Sequence, residues 1–180
     1  MRARAIAALF TAALITTPVL VAPAATADSK VKTLTFEVDY VSTQTDLTTL
    51  PGDVTYGWNH LVGPTRWGKK RAESVFLGSV DYINGSGGFG GFVTFIRSDG
   101  ARLAVSVDGW ATSPDTPGTA NTHFNGAVRV IGGSGAYAGA RGSGTMTGYR
   151  KADLGSPVQL TFTITVRRSS SRRPCLTAPQ

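Results

Sequence analysis

Alternation of apolar and polar residues constrains the fold of this chain more than any other feature. The clearest run covers residues 158–167, where Val, Leu, Phe and Ile alternate with Gln, Thr and Arg, and residues 34–40 and 103–108 repeat the pattern. A period of two residues is typical of a β-strand with one face on an apolar core and the other on water. Because no long segment has a helical period, the sequence predicts an all-β domain.

Eight strands account for the body of the chain. We predict them at residues 33–42, 53–61, 70–83, 89–97, 101–111, 121–131, 142–150 and 158–167. Short connections such as Asp99-Gly100 favour tight hairpins, so consecutive strands are expected to be antiparallel neighbours without crossover helices. Closing such a meander removes both exposed edges. The predicted fold is an eight-stranded antiparallel up-and-down β-barrel, whose interior is filled by side chains or holds one small ligand. A two-sheet sandwich is the alternative.

The N-terminal residues indicate export. A positively charged start, an apolar run over 5–21 and the small-residue sequence Ala25-Thr26-Ala27 predict a signal peptide over residues 1–27, cleaved near Ala27. We therefore expect a secreted, extracellular protein that begins at Asp28. The apolar run is short and broken by Thr and Pro, so no membrane span is predicted.

The C-terminal residues and the charge suggest little about partners. The barrel domain is predicted over 28–167 and a disordered basic tail over 168–180, with one cysteine, Cys175, in the tail. A single cysteine excludes an intramolecular disulfide and any multi-cysteine metal site. The formal net charge is +7, but basic and aromatic residues do not interleave as in an RNA-binding sheet. Nucleic acid is therefore not expected as a partner.

One segment carries a family resemblance. Residues 130–142 read V-I-G-G-S-G-A-Y-A-G-A-R-G, which resembles the dirigent pattern V-V-G-G-T-G-x-F-x-x-A-R-G, with Ser134 for Thr and Tyr137 for Phe. Residues 99–109 resemble the strand that precedes this hairpin in dirigents. Residues 34–39 resemble the first dirigent strand, although Val38 stands where the family has the His of a His-Asp pair.

The resemblance to dirigent proteins and the related allene oxide cyclases implies a fold and a function. It implies an allene oxide cyclase-like barrel with a hydrophobic pocket, assembled as a homo-trimer or homo-dimer, with no metal or organic cofactor. It also implies that the pocket takes a hydrophobic or aromatic small molecule and directs its cyclisation or its stereoselective coupling. Arg141 matches the family arginine, for which we expect a structural role.

Aromatic residues are the candidates for substrate binding. Tyr56, Trp58 and His60 share one face of the second strand, and with Tyr40 they are predicted to shape the pocket. Tyr and Trp combine stacking surface with a few directed hydrogen bonds, which suits a phenolic or polycyclic ligand.

Two carboxylates are the candidates for proton chemistry. Asp81 shares a face with Val75 and Leu77, and burial there would raise its pKa and suit it to general acid or base catalysis. An ion pair with Arg129 or Arg141 is the structural alternative. Asp39 matches the Asp of the family pair, yet it alternates with the apolar residues of its strand, so a bulge is needed to turn it inward.

Three functions remain open from the sequence. The first is the cofactor-free pocket described above, and the second is a non-catalytic secreted binder or envelope-associated assembly protein. The third is a toxin or inhibitor that uses an outer loop over residues 113–120. The glycines at 133 and 135 resemble part of a dinucleotide-binding motif. Because no strand–helix–strand unit follows, we reject the interpretation that they bind a dinucleotide.

Overall fold

A computed structural model describes residues 30–114, 121–151 and 156–168. Within these ranges the chain forms eight strands and one short 3₁₀ turn, Gly135–Tyr137. The strands are β1 (Lys30–Leu50), β2 (Val54–Trp67), β3 (Lys70–Ile83), β4 (Ser86–Arg97), β5 (Arg102–Thr112), β6 (Thr122–Ser134), β7 (Arg141–Arg150) and β8 (Val158–Arg168). Each strand pairs antiparallel with its neighbours in the chain, and β1 also pairs with β8. The predicted closed barrel is confirmed, and the sandwich alternative is wrong.

The first strand is longer than predicted because it serves both sides of the closure. β1 pairs with β8 from Lys30 to Tyr40 and with β2 from Val41 to Leu50. A bulge between Ser42 and Gln44 shifts the register. An extra residue at a bulge reverses which alternate residues face the interior. The apolar alternation therefore stops at Tyr40, and the strand continues for ten residues in which every residue is exposed.

The two ends of the barrel differ. At the end that we call the plugged end, the chain turns at residues 68–69, 98–101 and 135–140. At the other end, the open end, β3 turns into β4 at Asn84-Gly85. The buried apolar residues are concentrated toward the plugged end, where the inward faces of all eight strands meet. A small barrel leaves room inside only for side chains or for one small ligand.

Aromatic side chains fill the plugged end. Phe36 stacks on Phe95 with ring centroids 3.9 Å apart, and Trp67 meets Phe36 edge-on at 5.4 Å. Phe162 contacts Phe95 edge-on at 5.3 Å. Trp67 also packs on Tyr137 at 4.6 Å and donates its indole N–H to the Tyr137 hydroxyl over 3.2 Å. The edge-on contacts have the geometry that aromatic pairs prefer, and the hydrogen bond to Tyr137 satisfies the one polar atom of the Trp67 side chain.

Charged side chains cover this aromatic plug. The Arg97 guanidinium lies 5.3 Å from the Trp67 ring centre and that of Arg168 lies 5.1 Å from the Tyr137 ring centre. Asp99 accepts from Arg97 at 2.7 Å and from Lys70 at 2.6 Å. Hydrogen bonds from Arg97 and Lys70 hold the pKa of Asp99 well below its usual range. The plugged end is therefore closed by rings, cations and one shared carboxylate.

Some predicted segments lie outside the described residues. They are the signal peptide over 1–27, the tail beyond residue 168 with Cys175, and most of the predicted loop, residues 115–120. Arg168, predicted as the first residue of the tail, is the last residue of β8. No helix in the described part of the chain has both the length and the apolar character needed to cross a membrane.

Candidate functional site

A pocket of about 270 Å³ opens at the open end of the barrel. Most of its wall is apolar. The apolar lining residues are Leu47, Leu61, Phe76, Val80, Phe89, Phe124, Val158 and Leu160. Phe89 and Phe124 meet edge-on with ring centroids 5.7 Å apart, so one side of the pocket is an aromatic wall. The volume lies just below the usual range for ligand sites, which is about 300–1,000 Å³.

Two polar side chains at the pocket bear on its chemistry, Tyr82 of β3 and Arg150 of β7. Burial raises the pKa of Tyr82 to about 12, and the positive charge of Arg150 partly offsets that effect. At neutral pH Tyr82 is therefore a neutral phenol that can donate a proton in a hydrogen bond, beside a permanent cation. Together they suit a ligand oxygen that is anionic or strongly polarised.

Further polar groups of the wall are held by neighbouring side chains. Asn59 accepts a hydrogen bond from the Thr45 hydroxyl through Oδ1 at 2.9 Å. Thr122 shares a hydrogen bond of 3.3 Å with Ser113. A side chain already held by a partner loses less freedom when a ligand binds, so this part of the wall is preorganised.

The floor of the pocket rests on a buried polar pair. Phe76 lines the pocket, and its ring lies edge-on to that of Tyr40 at 6.1 Å. Tyr40 is fully buried, and its hydroxyl shares a hydrogen bond with the buried Ser74. Burial raises the pKa of Tyr40, with the hydrogen bond from Ser74 acting in the opposite direction. Tyr40 was predicted to contact substrate, and the structure places it beneath the floor rather than at the pocket surface.

The predicted residues of β2 lie on the outside of the barrel. Tyr56 and Trp58 are 46% and 57% exposed, whereas the pocket takes Thr55, Asn59 and Leu61 from the alternate positions. The expected inward orientation of Tyr56, Trp58 and His60 is therefore corrected. Further along β2, Gly63 also faces inward, and a Cβ there would clash with Val38 and the backbone of Asp39.

Two of these β2 residues share an outer groove. Trp58 and His60 line a surface depression of about 400 Å³. The rest of its lining is Gln44, Asp46, Asn59, Leu77 and Phe92. A ligand that met Trp58 or His60 would thus lie outside the barrel, on the far side of the sheet from the pocket.

The two predicted carboxylates are exposed and far apart. Asp81 faces outward on β3, opposite Tyr56, and Asp39 faces outward on β1, opposite Gln159. Tyr56 in turn is opposite Thr48, which is nine residues from Asp39 along β1; at about 3.3 Å per residue this is roughly 30 Å. No salt bridge joins Asp81 to Arg129 or Arg141 within the described residues. Neither carboxylate lines the pocket, so a catalytic role for either one stays a prediction.

The sequence pattern does not identify Tyr82, Arg150, Phe89 and Phe124 as pocket residues. On β3 both faces carry apolar residues, Val75 and Leu77 outward and others inward, so alternation did not identify the inward face. The described residues contain no cluster of three or more His, Cys, Asp and Glu side chains that would hold a metal ion.

Comparison with known proteins gives likenesses to solved structures. A pterocarpan synthase dirigent protein is 17% identical, with 87% of this chain and 99% of that chain covered and a TM-score of 0.43. A second pterocarpan synthase dirigent protein is 16% identical, with coverage of 78% and 96% and a TM-score of 0.43. A conserved protein of unknown function from Rhodopseudomonas palustris is 13% identical, with coverage of 77% and 98% and a TM-score of 0.45. No protein-family model and no curated protein matches the chain.

Proposed function

We propose that the pocket at the open end binds a small hydrophobic or aromatic molecule and holds it in one conformer. The single observation that carries this proposal is the apolar cavity of about 270 Å³ with Tyr82 and Arg150 at its wall. An apolar cavity with a few convergent polar groups is the usual form of a small-molecule site. The aromatic wall of Phe89 and Phe124 stacks on the ligand, and the two polar residues bind its oxygen.

The size of the pocket favours one small ring system over two partners. A volume near the lower limit for ligand sites suits a monocyclic or bicyclic molecule. An intramolecular ring closure fits this size, since it keeps every atom of the substrate and needs no second reactant. Holding a flexible molecule near its reactive geometry lowers the barrier without a nucleophile, by up to several kcal/mol. Stereoselective coupling would need a second molecule at the mouth and a one-electron oxidant from elsewhere.

The hydrogen-bond donors at the pocket favour orientation of the ligand over acid–base catalysis. No carboxylate or imidazole lines the cavity among the described residues, so our proposal gives no proton transfer to Asp81 or Asp39. Tyr82 and Arg150 instead stabilise negative charge that develops on a ligand oxygen, which is electrostatic assistance from fixed donors. This feature also supports the second candidate function, a non-catalytic binding protein with the same ligand.

A binding experiment tests the pocket. The probe is 2-naphthoate, a bicyclic acid, followed by ligand-detected NMR or its own fluorescence. Arg150→Gln is expected to weaken binding about tenfold or more and Tyr82→Phe about three- to tenfold, because a charged hydrogen bond contributes more than a neutral one. Product analysis with a flexible polyketide-like aromatic substrate then separates ring closure from binding alone.

Tyr56→Phe is the matched control for Tyr82→Phe. Both variants remove one phenol oxygen, but Tyr56 lies on the outer face of the neighbouring strand. Tyr56→Phe is expected to leave the affinity for 2-naphthoate unchanged. Equal losses in the two variants, or full affinity in Arg150→Gln, would show that the ligand binds elsewhere.

We infer that the protein works outside the cell and that residues 1–27 are removed. The support is the charged start, apolar run and small-residue sequence before Asp28. N-terminal sequencing of the protein recovered from the medium is expected to begin at Asp28. The predicted homo-trimer or homo-dimer likewise stays a proposal, and light scattering of the purified protein measures its mass.

A further inference from the structure

The basic residues of the described chain are gathered at the plugged end. Most of those in 30–114, 121–151 and 156–168 are at the ends of strands or in turns on that side, and the stretches 33–65, 72–96 and 103–128 contain no Lys or Arg. We define the basic collar as six exposed residues of this end. They are Arg66, Lys69, Arg71, Arg102, Arg141 and Arg167. Among the described residues, the positive charge is thus concentrated at one end of the barrel.

Two pairs within the collar oppose like charges. Arg66 of β2 is directly opposite Arg71 of β3, and Arg141 of β7 is directly opposite Arg167 of β8. Like charges in directly opposed positions of neighbouring strands destabilise a sheet. In the described part of the chain, both salt bridges are made by Asp99, and none involves a collar residue. Arg66 and Arg71 share a shallow groove with Glu37, which lies beyond salt-bridge distance.

The arrangement of the collar indicates the shape of its partner. Its members come from β2, β3, β5, β7 and β8 and from the β2–β3 turn, so they surround the end of the barrel instead of following one face. A linear polymer lying along the side of the barrel would meet only some of them. A flat anionic surface facing the end of the barrel meets all of them.

Exposed apolar side chains lie within the collar. Val31 is 59% exposed and directly opposite Arg167, and Ile131 is 40% exposed next to the bulge of β6. Arginine with apolar neighbours suits the interface of a bilayer, where guanidinium groups pair with phosphate and apolar side chains enter the headgroup region.

We propose that the plugged end docks onto a bilayer that contains anionic phospholipid. The charge complementarity, the collar arginines that form no salt bridge with any described residue, and the circular arrangement carry the proposal. The protein lies on the surface without crossing it, and the open end with its pocket faces away from the lipid. Docking is independent of what the pocket binds.

Vesicle binding tests the proposal with the full chain. The vesicles contain either phosphatidylcholine alone or phosphatidylcholine with phosphatidylglycerol, and sedimentation measures the bound fraction. Each Lys or Arg near an anionic surface contributes about fivefold to the partition coefficient. The double variants Arg66→Gln/Arg71→Gln and Arg141→Gln/Arg167→Gln are each expected to lose about 25-fold, and high salt abolishes binding.

Arg129→Gln/Lys151→Gln is the matched control. It removes the same charge from exposed positions outside the collar, and is expected to keep most of the binding. Because the leader and the tail arginines are the same in every variant, differences between variants report on the collar. The collar variants should also melt at an unchanged or higher Tm, since a repulsive pair is removed.

Three results would overturn the proposal. One is equal loss in the collar and control variants, and another is equal binding to both kinds of vesicle. The third is collar-dependent binding to a DNA oligonucleotide without binding to phosphatidylglycerol vesicles, which would make the partner a phosphodiester polymer.

Discussion

The plugged end and the open end of one barrel divide two tasks between them. At the plugged end five aromatic rings contact one another, and Phe95 and Phe162 are fully buried. At the open end the same eight strands leave a cavity walled by Phe89 and Phe124. A single closed sheet can therefore be filled by packed rings at one end and leave a cavity at the other.

The charges follow the same division. Basic residues surround the plugged end and outnumber the acidic Glu73 and Asp99 there, whereas Asp46, Asp53, Asp81 and Asp108 lie nearer the open end or on the middle of the barrel. Such polarity orients a protein on an anionic surface before contact, because the field of the whole molecule acts over a Debye length of about 8–10 Å. The pocket would then face solvent, where a small ligand arrives.

The largest expected effect comes from truncating one ring at each end. Phe95→Ala should destabilise the protein by about 3–5 kcal/mol, because a fully buried ring leaves a cavity among its neighbours. Phe124→Ala should cost about 1 kcal/mol, because that side chain is only partly buried and already borders a cavity. Urea unfolding measures both. Similar losses at the two ends would contradict the division proposed here.

Glycine replacements should affect the backbone differently at the two ends of the barrel. Gly142 at the plugged end has φ 159°, and a Cβ there would collide with the carbonyl of Thr165. Gly142→Ala should cost about 1–3 kcal/mol through strain. A Cβ at Gly88, toward the open end, meets nothing within 4 Å, so Gly88→Ala should be neutral or slightly stabilising. Thermal unfolding of the two variants measures the contrast, and a large loss for Gly88→Ala would be unexpected.

Alkaline pH should weaken the open end through Tyr82. Burial raises the pKa of this phenol to about 12, so the folded state favours the neutral form. Its contribution is complete below the ordinary Tyr value near 10 and is lost as the pH rises from about 10 to 12. Tyr82→Phe should therefore lose less stability than the natural chain over this window, by on the order of 1–2 kcal/mol. Denaturant unfolding at pH 9 and pH 11.5 measures it.

Lowering the pH should have the smallest effect on stability, and that effect should arise at the plugged end. Hydrogen bonds hold the pKa of Asp99 below its usual range, so the stability that it contributes is present above the ordinary Asp value and is lost as the pH falls further. The group is exposed, and both of its partners reach into solvent, so the effect of Asp99→Asn should be small and should vanish in high salt. Tm values at low and high salt measure it. A large, salt-independent fall would assign Asp99 a greater role.

Most of the fold was predictable because strand pairing leaves a periodic signal. The run from Val158 to Val166 faces inward at every second residue, and Asp99-Gly100 does form a turn between two strands. The length of β1 was not predictable, because its second half is exposed on both faces and the bulge after Ser42 interrupts the alternation. Exposed strand residues carry no apolar period.

The candidate site was less predictable than the fold. Tyr56 and Trp58 have the apolar character of core residues, yet an exposed apolar side chain is common in proteins. The inward face of β2 also carries Gly63, where the neighbouring atoms leave no space for a side chain. That restriction comes from the neighbouring strand β1, and no local pattern within β2 encodes it. Arg150 reads in sequence as a surface cation, and only closure of the barrel brings it near Tyr82.

The pairing of β1 with β8 has a consequence for how the molecule is made. Lys30 and Arg168 are partners although nearly the whole domain separates them in the chain. In a nascent polypeptide, the edge of β1 that pairs with β8 therefore stays free until β8 has been synthesised. Contacts between residues that are distant in the chain also slow folding. Until then, every folding intermediate has strand edges whose unpaired backbone groups can pair with another chain. The barrel thus reaches its native state only after synthesis of the domain is complete, and a chain truncated before Val158 would be prone to aggregation.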